Sequence, residues 1–573
     1  MTAPAPAPTR RSDASTWAIA AAGPVLLAVD GLLWASSRVV SAASGHGWSG
    51  TPGRPAALHT GHGGHGVTAP VLVVAVVLAV LLASPALLIW RARRRRPAAL
   101  LGRARWATRR DLAPLAVDGA IAAPGRIGLG LAQAGGAQRA AEPRHSLVVL
   151  GPSGSGKTES VVIPALHAWT GPAVVTSVKD DVLRATEHER AGLGPVWVFD
   201  PTNSTGRASA TWSPLAACTT WPGASQMAGW LVGAAAGSST GNGDHERFWS
   251  PLARKLLAPL MFAAGASGLP MADVIRWLDT QEQTEVIELL DDLGVIEACN
   301  AFTASRKRPV DTLGSVYSTA EACLDVYTDP DVAASALTSQ IDPVELLDSA
   351  GTLYLVAPLH AQDRLRPLFE ALVMSVVRQA QNRAQAGAAN PTGAASPGLL
   401  LMLDECGTAA PLRDLPALAA TGRGQGIQLV SVFQDRGQIE QRYGRLADSV
   451  LTNHRAKLAL SGIADLATLD YFSKLLGDTD VDRHSVTDST TGRSTSTSQQ
   501  RERLAPADAL RQLPLGAGLL VYGSLPPARV RFPLPARRAG GELLRTAEPR
   551  RVAAVPRRRL RQVTPQQAAE STT

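Results

Sequence analysis

The chain has 573 residues, of which 45% are hydrophobic, 18% charged and only 5% aromatic, with a net charge of +8. At about 150 residues per domain this makes roughly two to four globular units, and it excludes a disordered chain or a small disulfide scaffold. The 52 glycines and 40 prolines follow no triplet period, which excludes a collagen-like rod. Four widely spaced cysteines (Cys218, Cys299, Cys323, Cys406), without a Cys-x-x-Cys or Cys/His zinc spacing, read as small buried hydrophobes in a reducing compartment.

Along the chain, the first apolar stretch runs from Thr16 to about Val40, interrupted by Pro24, Asp30 and Arg38. It is read as a membrane span, against the alternative of a cleaved signal peptide suggested by Arg10-Arg11 and the small residues near Ser41-Ala42-Ala43. The second, Val67 to Trp90, is 24 residues without a charge. As a helix it reaches about 36 Å, enough for a hydrocarbon core of about 30 Å. Arg91 and Arg93–Arg96 follow it, so the positive-inside rule predicts both termini and everything after Trp90 on the cytoplasmic side of the plasma membrane. The outer loop carries His46, His59, His62 and His65 among glycines, without a metal-ligand spacing, and reads as solvated chain.

The soluble part alternates strand-like and helix-like segments. His145–Leu150 (HSLVVL) reads as a buried strand running into Gly151-Pro152-Ser153-Gly154-Ser155-Gly156-Lys157-Thr158 and then a helix. In this G-x-x-x-x-G-K-T spacing backbone N–H groups wrap phosphates at a helix N-terminus, Lys157 reaches the β- and γ-phosphates of ATP, and Thr158 holds Mg²⁺. A Gly-rich turn that merely contains Lys-Thr would leave the strand before it and the helix after it unexplained. Further apolar runs at 173–178, 196–199, 352–356, 399–403, 427–433, 457–460 and 519–522 predict a mostly parallel α/β sheet covered on both faces. The run LLLML ends in Asp404-Glu405. With a P-loop present this reads as a Walker B strand, Asp404 holding Mg²⁺ and Glu405 orienting and deprotonating the attacking water; alone, Asp404 would equally serve a turn or N-cap.

Between Lys157 and Asp404, residues 216–345 carry apolar positions at helical spacing, such as Phe248, Leu252, Leu256 and Leu260, and predict an all-α insert. Phe248, Trp249 and Trp277 there could stack on bases, but aromatics on amphipathic helices are more often core. His484–Arg503 is Ser/Thr-rich and predicted to be a mobile loop; beyond Pro535 the chain is Arg-rich and Pro-broken, either a grip for nucleic acid or anionic lipid or a solvated tail.

The P-loop, TSVKDDV (Thr176–Val182), VFDP (Val198–Pro201), WSPL (Trp212–Leu215), LMLDE, TGRGQGIQLVSVFQD (Thr421–Asp435) and Asn453 with KLALSG together resemble the TraG/TraD-like coupling proteins of type IV secretion, over roughly residues 90–530. That resemblance implies a RecA-like P-loop ATPase with an inserted all-α domain and N-terminal transmembrane helices. It further implies a homo-hexameric ring that receives a relaxase-bound single strand of DNA, or protein substrates, and feeds them to a secretion channel. It also implies that Gln434 senses the γ-phosphate and that Arg423 reaches a neighbouring subunit's nucleotide as an arginine finger. From the residues alone Arg423 is equally a surface arginine in a Gly-rich turn. Asp180 stands after Lys179 where that family often has glycine, which leaves Lys179 without an assigned role.

The expected organisation is therefore a membrane anchor (1–96), a P-loop ATPase domain in two parts (97–215 and 346–534) around the helical insert (216–345), and a basic tail (535–573). Two rival readings stand beside it. A septal-type double-stranded-DNA translocase would be expected to end in a compact winged-helix module; a non-hydrolysing membrane receptor platform would not need Lys157, Thr158, Asp404 and Glu405 together.

Overall fold

The computed structural model describes residues 104–117, 125–236, 243–386, 398–408, 412–489 and 492–533, with the short pairs 536–537 and 543–544. The two expected membrane spans, the His-containing loop and most of the basic tail lie outside these residues. Among the described residues no helix is long and apolar enough to cross a membrane.

Eleven strands form one sheet: β1 (Gly128–Ala132), β2 (Gln138–Ala140), β3 (Leu147–Leu150), β4 (Ala173–Ser177), β5 (Val196–Phe199), β6 (Thr352–Val356), β7 (Leu399–Leu403), β8 (Ile427–Phe433), β9 (Ala456–Leu460), β12 (Ala517–Tyr522) and β13 (Ala528–Arg531). The intervening β10 (Asp478–Ser489) and β11 (Gly492–Arg503) stand apart as a two-stranded ribbon. The sheet order is β2-β1-β13-β12-β9-β3-β8-β7-β4-β6-β5. From β9 to β5 neighbouring strands are parallel; β12, β13, β1 and β2 extend the sheet antiparallel.

The central strands β3, β4, β6, β7 and β8 are buried at every position because both faces are covered. Leu147, Val149, Val175, Met402 and Val430 point into one core, where Ala165, Leu166, Trp169, Val182 and Leu183 from the helices Ile163–Ala168 and Asp181–Ala191 meet them. Val148, Leu150, Val174, Leu401 and Phe433 point into the other, under the long helix Gln362–Gln385. This alternation is the period of two that a pleated strand imposes.

All described elements between Trp221 and Asp348 are helical. Asp329 and Asp342 cap two of the helices by accepting from the N–H groups of Asp331 and Val344, each ahead of a proline at the first helical position. Trp277, Phe302 and Tyr317 are buried, and they belong to the same continuous core as Val148, Leu401 and Phe369. The helical segment thus shares one apolar cluster with a face of the sheet. Of the three aromatics considered for base stacking, Trp277 is core; Trp249 is partly buried against that core, and Phe248 is exposed.

The Ser/Thr-rich stretch departs from its expected form. Where a mobile loop is predicted, β10 and β11 pair antiparallel from Asp478↔Arg503 to Ser489↔Gly492. The ribbon's stem is held by charge pairs, Arg483 with Glu502 at 2.8 Å and Arg503 with Asp478 at 2.9 Å. Threonine and serine suit a pleated strand, and cross-strand opposite charges favour this register.

Candidate active site

At the C-terminal edge of the parallel strands, β3 passes into the P-loop, β7 into Asp404-Glu405 and β8 into Gln434. Register brings them level: Leu150 pairs with Phe433 and Leu403 with Ser431, and the N–H of Gly151 donates to the Phe433 carbonyl at 3.2 Å. This is the edge at which parallel α/β sheets bind ligands.

Within the loop, Gly154 and Gly156 have φ of +80° and +84°, a left-handed backbone that glycine adopts without a Cβ clash. A Cβ on Gly151 would lie 2.6 Å from Ser155 Oγ, so that position also needs glycine. Lys157 is buried, its ammonium donating to the carbonyls of Gly151 (2.7 Å) and Pro152 (3.0 Å). Burial lowers its pKa, and the carboxylates of Asp404 and Glu405 oppose that shift.

Thr158 opens the following helix and its hydroxyl donates to Asp404 Oδ2 at 3.1 Å. The Asp404 carboxyl is buried, and burial pushes its pKa up to about 6, with the nearby charges of Glu405 and Asp181 adding to the rise while the Thr158 hydrogen bond and Lys157 pull against it. Asp181 is a residue the sequence reading passed over, although it lies within the TSVKDDV segment. Glu405 sits at φ +52°, a left-handed conformation that costs a non-glycine residue about 1–2 kcal/mol. The kink is held on its far side, where the N–H of Cys406 donates to the Val432 carbonyl at 2.8 Å and that of Thr408 to the Glu405 carbonyl at 2.8 Å. Backbone strain of this kind concentrates at functional sites.

These residues suit a magnesium nucleotide. A hydroxyl and a buried carboxylate at 3.1 Å form a hard-oxygen pair whose charge lacks full compensation. The buried hydroxyl of Ser155, inside the glycine cradle, has no hydrogen-bond partner. Thr158 and Asp404 are the residues that would hold Mg²⁺.

Gln434 lies directly after β8, beside the P-loop, with its N–H donating to Gln438 Oε1 at 2.9 Å. Lys179 is exposed just past the end of β4. Arg423 is elsewhere. It lies in the turn Gly422–Gln425 that precedes β8, at the opposite edge of the sheet, where its charge acts on His145. The seven residues of β8 separate that edge from Gln434 by about 23 Å, so Arg423 cannot reach the P-loop of its own chain.

Comparison with known proteins adds three findings. Residues 116–531 match the family model for type IV secretory system conjugative DNA transfer. The conjugal transfer protein TraG of Escherichia coli is 28% identical over 401 residues, covering 64% of this chain and 62% of its own length; TraG of Rhizobium radiobacter is 26% identical over 387 residues, covering 64% and 58%. This chain thus spans less than two thirds of these relatives. Among solved structures, the plasmid coupling protein TrwB in complex with ADP and Mg²⁺ superposes with a TM-score of 0.56 at 19% identity, over 76% of this chain and 95% of that one. A sulfate complex of the same protein lacking its N-terminal region gives 0.56 at 19% identity, over 75% and 93%. At this identity the likeness establishes a common fold, a mixed α/β architecture built on a large parallel sheet.

Proposed function

Since the chain belongs to the type IV secretory system conjugative DNA-transfer family, we propose that it is a membrane-anchored ATPase that drives transfer of single-stranded DNA, or of protein substrates, into a secretion channel. The observation that carries the reading is the Thr158–Asp404 pair at 3.1 Å beneath the P-loop, with Glu405 next in the chain and Lys157 beside it.

In this reading Lys157 exchanges its contacts with the Gly151 and Pro152 carbonyls for the β- and γ-phosphates of ATP. The N–H groups of the left-handed glycine loop point at the same oxygens. Mg²⁺, when bound by Thr158 and Asp404, would neutralise phosphate charge. Glu405 orients a water in line with the γ-phosphorus and accepts its proton, and Gln434 reports on the γ-phosphate. Arg423, too far along β8 to reach its own P-loop, acts in this reading on a neighbour's nucleotide within a ring of identical subunits, a homo-hexamer by family precedent. Hydropathy and the flanking arginines favour an anchor of two spans before residue 97, with the ATPase body cytoplasmic.

The test is the ATPase rate of the full chain with and without single-stranded DNA, beside its Lys157→Ala variant. Turnover that the strand raises and the variant lacks supports the motor. Bound nucleotide without turnover under any condition favours the receptor platform.

A further inference from the structure

Away from the nucleotide, a cavity of about 790 Å³ opens between the helices Trp221–Ala236 and Gly243–Ala266 and the segments that follow β7 and β8. Its charged lining is entirely cationic: Arg254, Lys255, Arg413 and Arg442. The floor is cut for two of these arginines. Gly229 and Gly233 stand one turn apart on the same helix; a Cβ on Gly229 would touch the Arg254 guanidinium at 3.4 Å, and one on Gly233 would fall 2.8 Å from Arg413 Nη1. Arg254 is further held by Ser225, through its backbone carbonyl at 3.1 Å and its hydroxyl at 3.0 Å. Behind the cavity the buried Glu370 carboxyl accepts the Arg413 N–H at 2.8 Å, and burial pushes its pKa up to about 7, so it only partly offsets the cations near neutral pH.

We propose that this cavity is a second phosphate site of the chain and that it seats a backbone phosphate of single-stranded nucleic acid. Like-charged side chains held together by glycine notches and fixed hydrogen bonds are costly unless an anion joins them, and guanidinium pairs match phosphate geometry. The cavity is larger than one phosphate requires, and Trp221 and Tyr443 on its wall supply ring surface for a base. This assignment rests on the transfer function proposed above and gives that function a place for the strand.

The site is also tied to the nucleotide. Arg413 lies eight positions after Glu405, and Arg442 eight after Gln434. The two connections are joined where the Tyr443 hydroxyl donates to the Leu412 carbonyl at 3.1 Å. A strand bound here therefore pulls on the segments that leave the Walker B and γ-phosphate-sensing strands.

The experiment measures binding of a fluorescein-labelled oligothymidylate to the full chain by anisotropy over a salt series, for the wild type, the R254Q/R413Q double variant and an R254K/R413K double variant. The expected result is a loss of about tenfold in affinity for the glutamine variant, a log–log salt slope shallower by about one, and restoration of the slope by lysine, with no fall in melting temperature. Wild-type affinity and slope in the glutamine variant overturn the site. Titration of ADP and of orthophosphate into a Lys157→Ala chain separates the sources: saturable binding that R254Q/R413Q abolishes, with oligothymidylate binding untouched, assigns the cavity to a free anion and overturns the strand. A wild-type chain that hydrolyses ATP yet binds no oligothymidylate removes single-stranded DNA as the transferred cargo, and this site with it, a result distinct from strand binding that ignores the cavity.

Discussion

Glu405 and Glu370 are two carboxyl groups with opposite duties. Glu405 follows the strand in a left-handed kink that projects it from the sheet edge, whereas Glu370 is a buried residue of the helix Gln362–Gln385 with its Oε2 unpartnered. Glu405→Gln keeps shape and removes the base: kcat is expected to fall by about 10²–10⁴-fold while ATP affinity, read with a fluorescent nucleotide, stays near wild type. For Glu370 the sign follows from burial. Its folded pKa of about 7 lies above the unfolded value of 4.5, so the native state binds the proton more tightly and stability declines as pH rises from 4.5 to 7. The size of that loss is about 3 kcal/mol. Glu370→Gln still offers an oxygen to the Arg413 N–H. It should flatten the pH dependence and melt above the wild type at pH 8 but not at pH 4.5. Arg366, Arg442 and Asp414, the charged neighbours of Glu370, remain in both proteins.

Elements differ in how plainly the sequence announces them. The parallel strands β3 and β7 are continuous apolar runs and β4 and β8 mostly apolar, and the P-loop and Asp404-Glu405 mark the ends of the first two; these were legible because both faces of the strand are buried and the phosphate chemistry dictates the motif. The antiparallel edge beyond β12 was not. β1 (GLGLA) is broken by glycines, β2 has three residues, and β13 alternates buried and exposed positions with arginines outward. The β10–β11 ribbon has a polar composition throughout and gave no apolar period to read. The cationic cavity was illegible for another reason: Gly229, Arg254 and Arg413 come from three distant segments, and only packing brings them together. The described stem of the ribbon from Val481 to Arg483 is exposed, and a two-stranded ribbon by itself is only marginally stable. Replacing residues 484–497 by Asn-Gly, which closes a two-residue hairpin, is expected to shift the melting temperature by less than about 2 °C and leave nucleotide binding intact. A larger drop in a thermal scan would mean that the outer ribbon packs against the body.

At the scale of the whole molecule, the proposed role of Arg423 at a neighbour's nucleotide is open to a subunit-mixing test. Lys157→Ala and Arg423→Ala chains should each be inactive in ATP hydrolysis. Mixed in equal amounts under conditions that let rings exchange subunits, they should regain activity, because about a quarter of the interfaces then join an intact Lys157 on one chain to an intact Arg423 on the next. Absence of any recovery, with mixed rings verified by native mass spectrometry, would place both residues in one chain's site and contradict the length of β8. The rings themselves should sediment with membranes through residues 1–96, which carry both expected spans.

β8 runs from just after the turn that carries Arg423, the residue proposed to reach a neighbour, to Gln434, proposed to sense the chain's own γ-phosphate, and all seven side chains of the strand are buried. A displacement at one end of so stiff a segment reaches the other with little damping. Around the proposed ring, each subunit would then set the timing of the next, and turnover would travel as a wave with fixed handedness instead of firing at random. An intact interface beside a dead one would still turn over but without its predecessor's timing, so activity should fall more steeply than in proportion to the fraction of inactive chains while staying above zero.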